Sequence, residues 1–268
     1  MMSLIRAGTR LSKFVLGNKR STINALMLMQ YSKGVQGSKF TLDTSRGIVI
    51  VDGISFLLDS MEPGIIFETF WLRMHDKIRV KPGDTVLDAG ACFGDTALYF
   101  ASLGCKVYAV EPNPINYKTL ERNLELNPKL KQQISTIEAA VGEDGYVSFV
   151  ASGSTVEGGG SAFLKRRGAS TCVKSYSIAS VLSKFHVQSV DHLKMDCKGA
   201  ETKLHLDDLR RVKKSVKIEY SLGTPEDYNR LMDLLKAAGF TSEVYRPTAK
   251  DSTLPVWRGG MIYGVRKH

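Results

Sequence analysis

Two glycines in Asp88-Ala-Gly90-Ala-Cys-Phe-Gly94-Asp95-Thr96, set between a short apolar run and a helical stretch, constrain this chain more than any other feature. The run Thr85-Val-Leu-Asp88 is entered from the turn Lys81-Pro-Gly-Asp84, and the helical stretch extends from Asp95 to about Leu103. Strand, glycine loop and helix in that order build a pocket at a strand end. A bulky polar ligand lies there only where the loop lacks side chains and takes conformations open to glycine. One right-handed β-α-β crossover later, Val107-Tyr-Ala-Val-Glu111 ends in a carboxylate. The crossover sets Glu111 beside the loop, where it can accept both hydroxyl protons of a ribose.

A nicotinamide dinucleotide calls for G-x-G-x-x-G, whereas this loop runs Asp-x-Gly-x-x-x-Gly with Cys92 where a middle glycine would stand. The order favours S-adenosylmethionine. Val86-Leu-Asp-Ala-Gly-Ala-Cys-Phe-Gly-Asp-Thr96, Ala109-Val-Glu-Pro-Asn-Pro114, Ala139-Ala-Val-Gly142 and Asp191-His-Leu-Lys-Met-Asp-Cys-Lys-Gly-Ala-Glu201 together resemble the successive motifs of the FkbM-type S-adenosylmethionine-dependent methyltransferases. The likeness covers roughly residues 45 to 266. The family usually reads Lys-Ile-Asp-Val-Glu-Gly-Ala-Glu at the last motif, so Lys198 reverses a charge beside the expected active site.

The resemblance implies the class I methyltransferase fold, a Rossmann-like, mostly parallel α/β sheet with helices on both faces and an antiparallel last strand. It implies that Asp88, Gly90 and Gly94 shape the methionine side of the cofactor pocket, with Ala91, Asp95, Thr96 and Asp196 in the same set. Glu111 would then hold the ribose, Asn113 would line its pocket, and Glu138 and Ala139 would border the adenine. Capping of the following helix accounts for Asn113 equally well. Such enzymes commonly methylate hydroxyl groups of sugars and other natural products.

Methyl transfer from a sulfonium is an in-line displacement whose main requirement is positioning. An alcohol acceptor benefits from a base as well, and Asp196 is the first candidate, followed by His192, Glu201 and Glu219. Lys194 and Lys198 would share a strand face with Asp196 and make candidate substrate contacts. Arg166 and Arg167, in the glycine-rich basic stretch 158–168, are candidates for an acidic group on the acceptor.

The repeating strand-helix order after residue 84 places Asp88, Glu111, Asp196 and Glu219 along the carboxyl edge of one sheet. Expected strands are 85–87, 107–110, 134–137, 146–150, 192–195, 216–220, 242–246 and 260–265. Pro114 opens a helix capped by Asn113, with Tyr117, Leu120 and Leu124 as its buried stripe. Ser177 opens another through Ile178, Val181, Leu182 and Phe185, and Thr224-Pro225 a third, with Tyr228, Leu231, Met232 and Leu235 inward and Gly239 at its close. Upstream, 47–53 and 54–58 read as a hairpin turning at Asp52-Gly53, and 65–74 as a helix.

The chain divides into a basic, helical extension over 1–42, a hairpin and helix over 43–80, and a cofactor-binding domain over 81–268. Lys and Arg number 37 against 27 Asp and Glu, a net charge of +10. Residues 1–42 contain no acid, yet they carry Arg6, Arg10, Lys13, Lys19, Arg20, Lys33 and Lys39. Leu4, Leu11 and Val15 fall near one face of a basic amphipathic helix over 2–16, and Ala25-Leu-Met-Leu-Met29 adds a second apolar stretch. This composition suits an anionic membrane surface, an organellar transit peptide, or a cap packed on the domain. Neither stretch reaches the roughly 20 apolar residues of a membrane span. The four cysteines lack paired or metal-type spacing, and the five histidines form no H-x-x-x-H cluster, so a reducing, cytoplasmic setting is expected. The metal requirement is left open.

Three readings of function stand at this point. The first is an O-methyltransferase acting on a sugar, a glycan or another small-molecule or lipid-linked acceptor. The second is a tRNA or rRNA methyltransferase, which the net charge favours. The third is a non-catalytic membrane or protein adaptor that keeps the fold.

Overall fold

The computed structural model describes residues 20–33, 39–43, 45–150, 170–197, 199–246, 253 and 255–266. Helix α1 (Arg20–Ser32) precedes a three-stranded antiparallel sheet of β1 (Phe40–Asp43), β2 (Ile48–Val51) and β3 (Ile54–Leu57). The β2–β3 turn falls at Asp52-Gly53, both residues having positive φ (48° and 84°), the two-residue turn whose twist matches its strands. The expected helix over 65–74 is present in altered form. Helix α2 (Pro63–Ile66) runs into a π-helical turn over Phe67–Trp71.

The central sheet contains β4 (Thr85–Ala89), β5 (Lys106–Glu111), β6 (Ile134–Glu138), β10 (Val190–Met195), β11 (Val212–Tyr220), β12 (Phe240–Tyr245) and β13 (Gly260–Arg266). Its order is β12-β13-β11-β10-β4-β5-β6. Strands β11, β10, β4, β5 and β6 pair in parallel, and β13 runs antiparallel to both β11 and β12, as expected for the last strand. The chain winds outward from β4 in one direction and returns through β10 in the other. The β4–β10 boundary is therefore the topological switch point, where open α/β sheets leave a crevice.

Helices α3 (Asp95–Ser102), α4 (Pro114–Glu125) and α5 (Pro128–Lys131) cover one face, and α6 (Ile178–Lys184), α7 (Leu206–Arg210) and α8 (Pro225–Ala237) the other. On the first face Val86, Val107 and Ala109 pack with Leu98, Phe100, Leu120 and the hairpin residues Val49 and Phe56. On the second, Leu87, Val110, Leu193, Val216 and Ile218 pack with Val181, Leu209, Leu231 and Leu235. Three expected inward residues, Tyr117, Tyr228 and Met232, are only half-buried. Tyr117 uses its position at the rim of α4 to bond Thr136 Oγ1 at 3.0 Å. Asn113 caps α4 through its side chain, and Ser177 and Thr224 do the same for α6 and α8.

Two asparagines at the end of α4 close the free edge of β3. Asn127 accepts from Ser55 N at 2.9 Å and donates to Ser55 O at 2.8 Å, while Asn123 accepts from Leu57 N at 3.0 Å. Side chains thus supply the ladder that a further strand would otherwise offer. Helix α1 docks on the same unit through Leu28, which is fully buried, and Asn24, which donates to Leu58 O and Met61 O at 2.7 and 3.0 Å.

Strand β1 and a small sheet of β7 (Ala140–Val141), β9 (Ser170–Tyr176) and β8 (Gly145–Val150) complete the fold. Of these only β8 was expected. Among the described residues no helix is long and apolar enough to cross a membrane, and Cys92, Cys105, Cys172 and Cys197 are free thiols. The amphipathic helix expected over 2–16 lies outside the described residues.

Candidate functional site

The switch point is built by close backbone approach. Gly90 takes φ +79°, and a Cβ there would run into the carbonyl oxygen of Asp196, the residue that follows β10. Asp196 N donates to Ala89 O at 3.0 Å, and the amides of Gly90 and Ala91 donate to Val110 O at 2.8 and 3.0 Å. The loop is thereby tied to both neighbouring strands. Gly94, at φ +89°, lets α3 begin directly against Leu120. Cys92 between them also has positive φ (50°), and its thiol accepts from Asn116 Nδ2 at 3.6 Å.

Asp88 is fully buried beneath this loop. It accepts from Thr96 Oγ1 at 2.5 Å and pairs with Lys194 Nζ at 2.9 Å, while the same ammonium donates to Gly90 O at 2.7 Å. Burial alone would lower the Lys194 pKa. The charges of Asp88, Asp196 and Asp95 outweigh it and hold the lysine protonated. Lys194 is thus a fixed cation that braces the glycine loop. Asp95 is buried at the start of α3 and accepts from Thr69 Oγ1 at 2.7 Å. Burial raises its pKa to about 6, against the pull of Lys194 and Thr69.

Glu111 closes β5 with its carboxylate turned toward the loop. It accepts from Cys92 N at 2.8 Å, Asn113 N at 2.9 Å and Asn116 Nδ2 at 3.5 Å. Burial pushes its pKa up to about 7 despite these donors and Lys194. The structure therefore gathers Asp88, Gly90, Ala91, Gly94, Asp95, Thr96, Glu111, Asn113 and Asp196 around one strand-end crevice. Ala139 is buried beside it, with its amide 3.2 Å from Glu111 O, whereas Glu138 is exposed at the end of β6.

The four candidate bases separate. Asp196 is half-buried at the rim next to Gly90, and Glu219 is half-buried near the end of β11. His192 is not at this rim. It lies opposite Val86 and Ser215 and is sealed in by Asp84 Oδ2 at 2.8 Å on Nε2 and Ser215 Oγ at 2.7 Å on Nδ1, so it serves the opposite end of the strands. Glu201 is also fully buried, folded back on its own turn to accept from Gly199 N at 2.6 Å. Its Oε2 is spent on that turn. Lys198, Arg166 and Arg167 lie outside the described residues.

Sequence reasoning passed over two buried groups, Lys217 on β11 and His75 after the π-helical turn. The signal for Lys217 was a lysine inside the apolar strand Val216-Lys-Ile-Glu-Tyr220, sharing a face with Glu219. Among the described residues no group of three or more His, Cys, Asp or Glu side chains is placed to hold a metal ion.

The family model described as the methyltransferase FkbM domain matches residues 88–242. No curated protein matches the chain significantly. Among solved structures, precorrin-6y C5,15-methyltransferase from Geobacter metallireducens is similar at 13% identity and a TM-score of 0.45, over 74% of this chain and 87% of that one. Trm5b from Pyrococcus abyssi is similar at 16% identity and a TM-score of 0.46, over 94% of this chain and 69% of that one. Fibrillarin from Aeropyrum pernix, with S-adenosyl-L-methionine natively bound, is similar at 18% identity and a TM-score of 0.42, over 69% of this chain and 67% of that one.

Proposed function

The chain belongs to the methyltransferase FkbM domain family, and from that premise we propose that it binds S-adenosylmethionine at the β4–β10 switch point and methylates a hydroxyl of a sugar, glycan or other small molecule. The observation that carries the cofactor site is the pairing of a side-chain-free loop with a buried acid. Gly90 has no room for a Cβ, and Glu111 is held against the loop by the amides of Cys92 and Asn113. An ionised carboxylate offers about four acceptor positions. Its protein donors leave room for a ribose hydroxyl, whose proton would relieve the burial that raises the group's pKa.

Charge fits as well. Asp88, Asp95, Glu111 and Asp196 surround Lys194, an excess of acid that suits a cationic sulfonium. Bound there, the cofactor supplies an activated methyl group. The protein's own part is positional. Lys194 fixes Asp88 and the Gly90 carbonyl, Asn113 and Asn116 orient Glu111, and Asp196 presents a half-buried carboxylate at the rim. A hydroxyl acceptor is favoured because titratable groups suited to take its proton cluster beside the crevice.

Calorimetry of S-adenosylmethionine and S-adenosylhomocysteine against wild type and Glu111→Ala, with NAD as control, tests the cofactor. Selective binding weakened at least tenfold in the variant is expected, and no heat from wild type would sink the reading. Methyl-tritiated cofactor offered to polyols, glycosides and tRNA or rRNA transcripts then separates the acceptors, with label in RNA alone overturning the hydroxylated small molecule.

A further inference from the structure

Strand β11 pairs in parallel with β10 so that Lys217 stands opposite Lys194, and Lys194 stands opposite Asp88. The three side chains form one row on one face, crossing the switch point from the glycine loop outward. Asp88 and Lys194 satisfy each other. Lys217 does not share in this. It is 4% exposed and has no ion pair or hydrogen bond within reach among the described residues. A lysine buried there is expensive, and an aliphatic side chain would serve packing better at that place.

An orphaned group faces it from the cover. His75 Nδ1 is buried with no hydrogen-bond partner, and Lys217 is the foremost charge acting on that imidazole. Two buried polar side chains, one from the sheet and one from the segment after the π-helical turn, converge beside the cofactor crevice. Such turns recur at functional sites. His75 Nδ1 lacks what a hydroxylated ligand would bring.

We propose that Lys217 is the base of the acceptor subsite, taking the proton of an acceptor hydroxyl that hydrogen-bonds His75. The proposal rests on the methyltransferase reading above. The acceptor oxygen gives an electron pair to the methyl carbon, the carbon–sulfur pair stays on sulfur, and the hydroxyl proton passes to the Lys217 amine. The products are a methyl ether and an ammonium. Burial lowers the Lys217 pKa and Lys194 adds to that, while Glu219 on the same strand, Asp196 past β10 and Glu68 on the π-helical turn oppose it without reversing it. His75 is held neutral by burial and by both lysines, and Tyr263, paired opposite Lys217, has its phenol raised by burial and remains protonated. The amine therefore keeps a lone pair at lower pH than an exposed lysine does.

Trace acetylation with acetic anhydride from pH 6 to 11, read by mass spectrometry, follows each lysine's titration by the shape of its curve. Lys217 should reach half-reactivity at lower pH than the exposed lysines, and saturating S-adenosylmethionine should slow its labelling. Lys217→Met removes a buried polar group, so it should keep or raise Tm and bind the cofactor within about twofold of wild type. With glycerol and methyl glucoside as hydroxyl probes it should lose about 100-fold or more in methyl transfer. Lys217→Arg puts a permanent cation in place of the base and should lose as much. Titration of Lys217 with the exposed lysines, labelling indifferent to the cofactor, or transfer retained in Lys217→Arg would each overturn the proposal. Absence of cofactor binding to wild type would instead overturn the reading on which it rests.

Discussion

Glu111 shows how one side chain ties the sequence pattern to a measurable property of the site. Its carboxyl titrates near 7 because burial disfavours the charge, and two backbone amides and Asn116 only partly restore it. Ribose hydroxyls donating to it would favour the ionised form, so binding must lower its pKa. Below about pH 7 binding is therefore expected to release protons, and affinity to rise with pH through that region. Calorimetry at pH 6.5 in buffers of different ionisation enthalpy measures the release, and Glu111→Gln should abolish it. Equal heats in all buffers for wild type would refute the assignment. Asp88, the two glycines and Glu111 were legible in the sequence because each meets a backbone or hydroxyl requirement that few other residues meet. Lys217 and His75 were not, because what marks them is a missing partner, and partners are known only once strands are paired.

At the scale of elements, Asn123 in α4 and Asn127 just past its end carry an unusual share of the N-terminal sheet. Asn127→Ala would leave the N–H and C=O of Ser55 without protein partners at a half-buried edge. A loss of about 2 kcal/mol is expected from one unmatched pair of backbone groups, readable in urea unfolding, and a change under about 0.5 kcal/mol would show that water replaces the side chain freely. Helices announced by a cap and an apolar stripe, such as α4, α6 and α8, were legible. Strand β9 was not, because in Ser170-Thr-Cys-Val-Lys-Ser-Tyr176 one of the inward residues is Ser175, so the alternation of burial does not show as an alternation of hydropathy. Strand β1 was hidden for a related reason: four residues at the end of a basic segment gain meaning only from pairing with β2.

For the molecule as a whole, the edge of the sheet opposite the crevice is closed by a separate charged cluster. Asp84 accepts from His192 at 2.8 Å and Lys214 at 2.5 Å, Asp191 from Thr85 at 2.9 Å, and Ser215 donates onward to Ile78 O at 3.0 Å. Burial raises the Asp84 pKa, but Lys214, His192 and Lys81 N prevail and bring it down to about 2, below its usual 3.8. A depressed carboxyl stabilises fully above its unfolded value, and that support is lost as pH falls from about 4 toward about 2. His192 acts in the same direction at higher pH, because burial depresses its pKa and the unfolded chain takes up that proton first as pH falls through about 6.5. The cluster's contribution should accordingly decline in two stages on acidification, while the raised Glu111 and Asp95 pull the other way, and Asp84→Asn should shrink the lower stage. Circular dichroism melts at pH 7, 5 and 3 would show it, and identical slopes for variant and wild type would rule the cluster out as the cause.

Helix α4 has one further role by virtue of where its ends lie. Its first turn begins at Asn113, whose amide holds Glu111, its last turn grips β3 through Asn123, and Asn127 just beyond its end does the same. Twelve residues make a rigid strut of about 18 Å between the two. A ligand that quiets Glu111 would therefore damp motion at the far hairpin without touching it. The amides of Ser55 and Leu57 become remote gauges of occupancy, and their exchange with deuterated solvent should slow when the crevice fills.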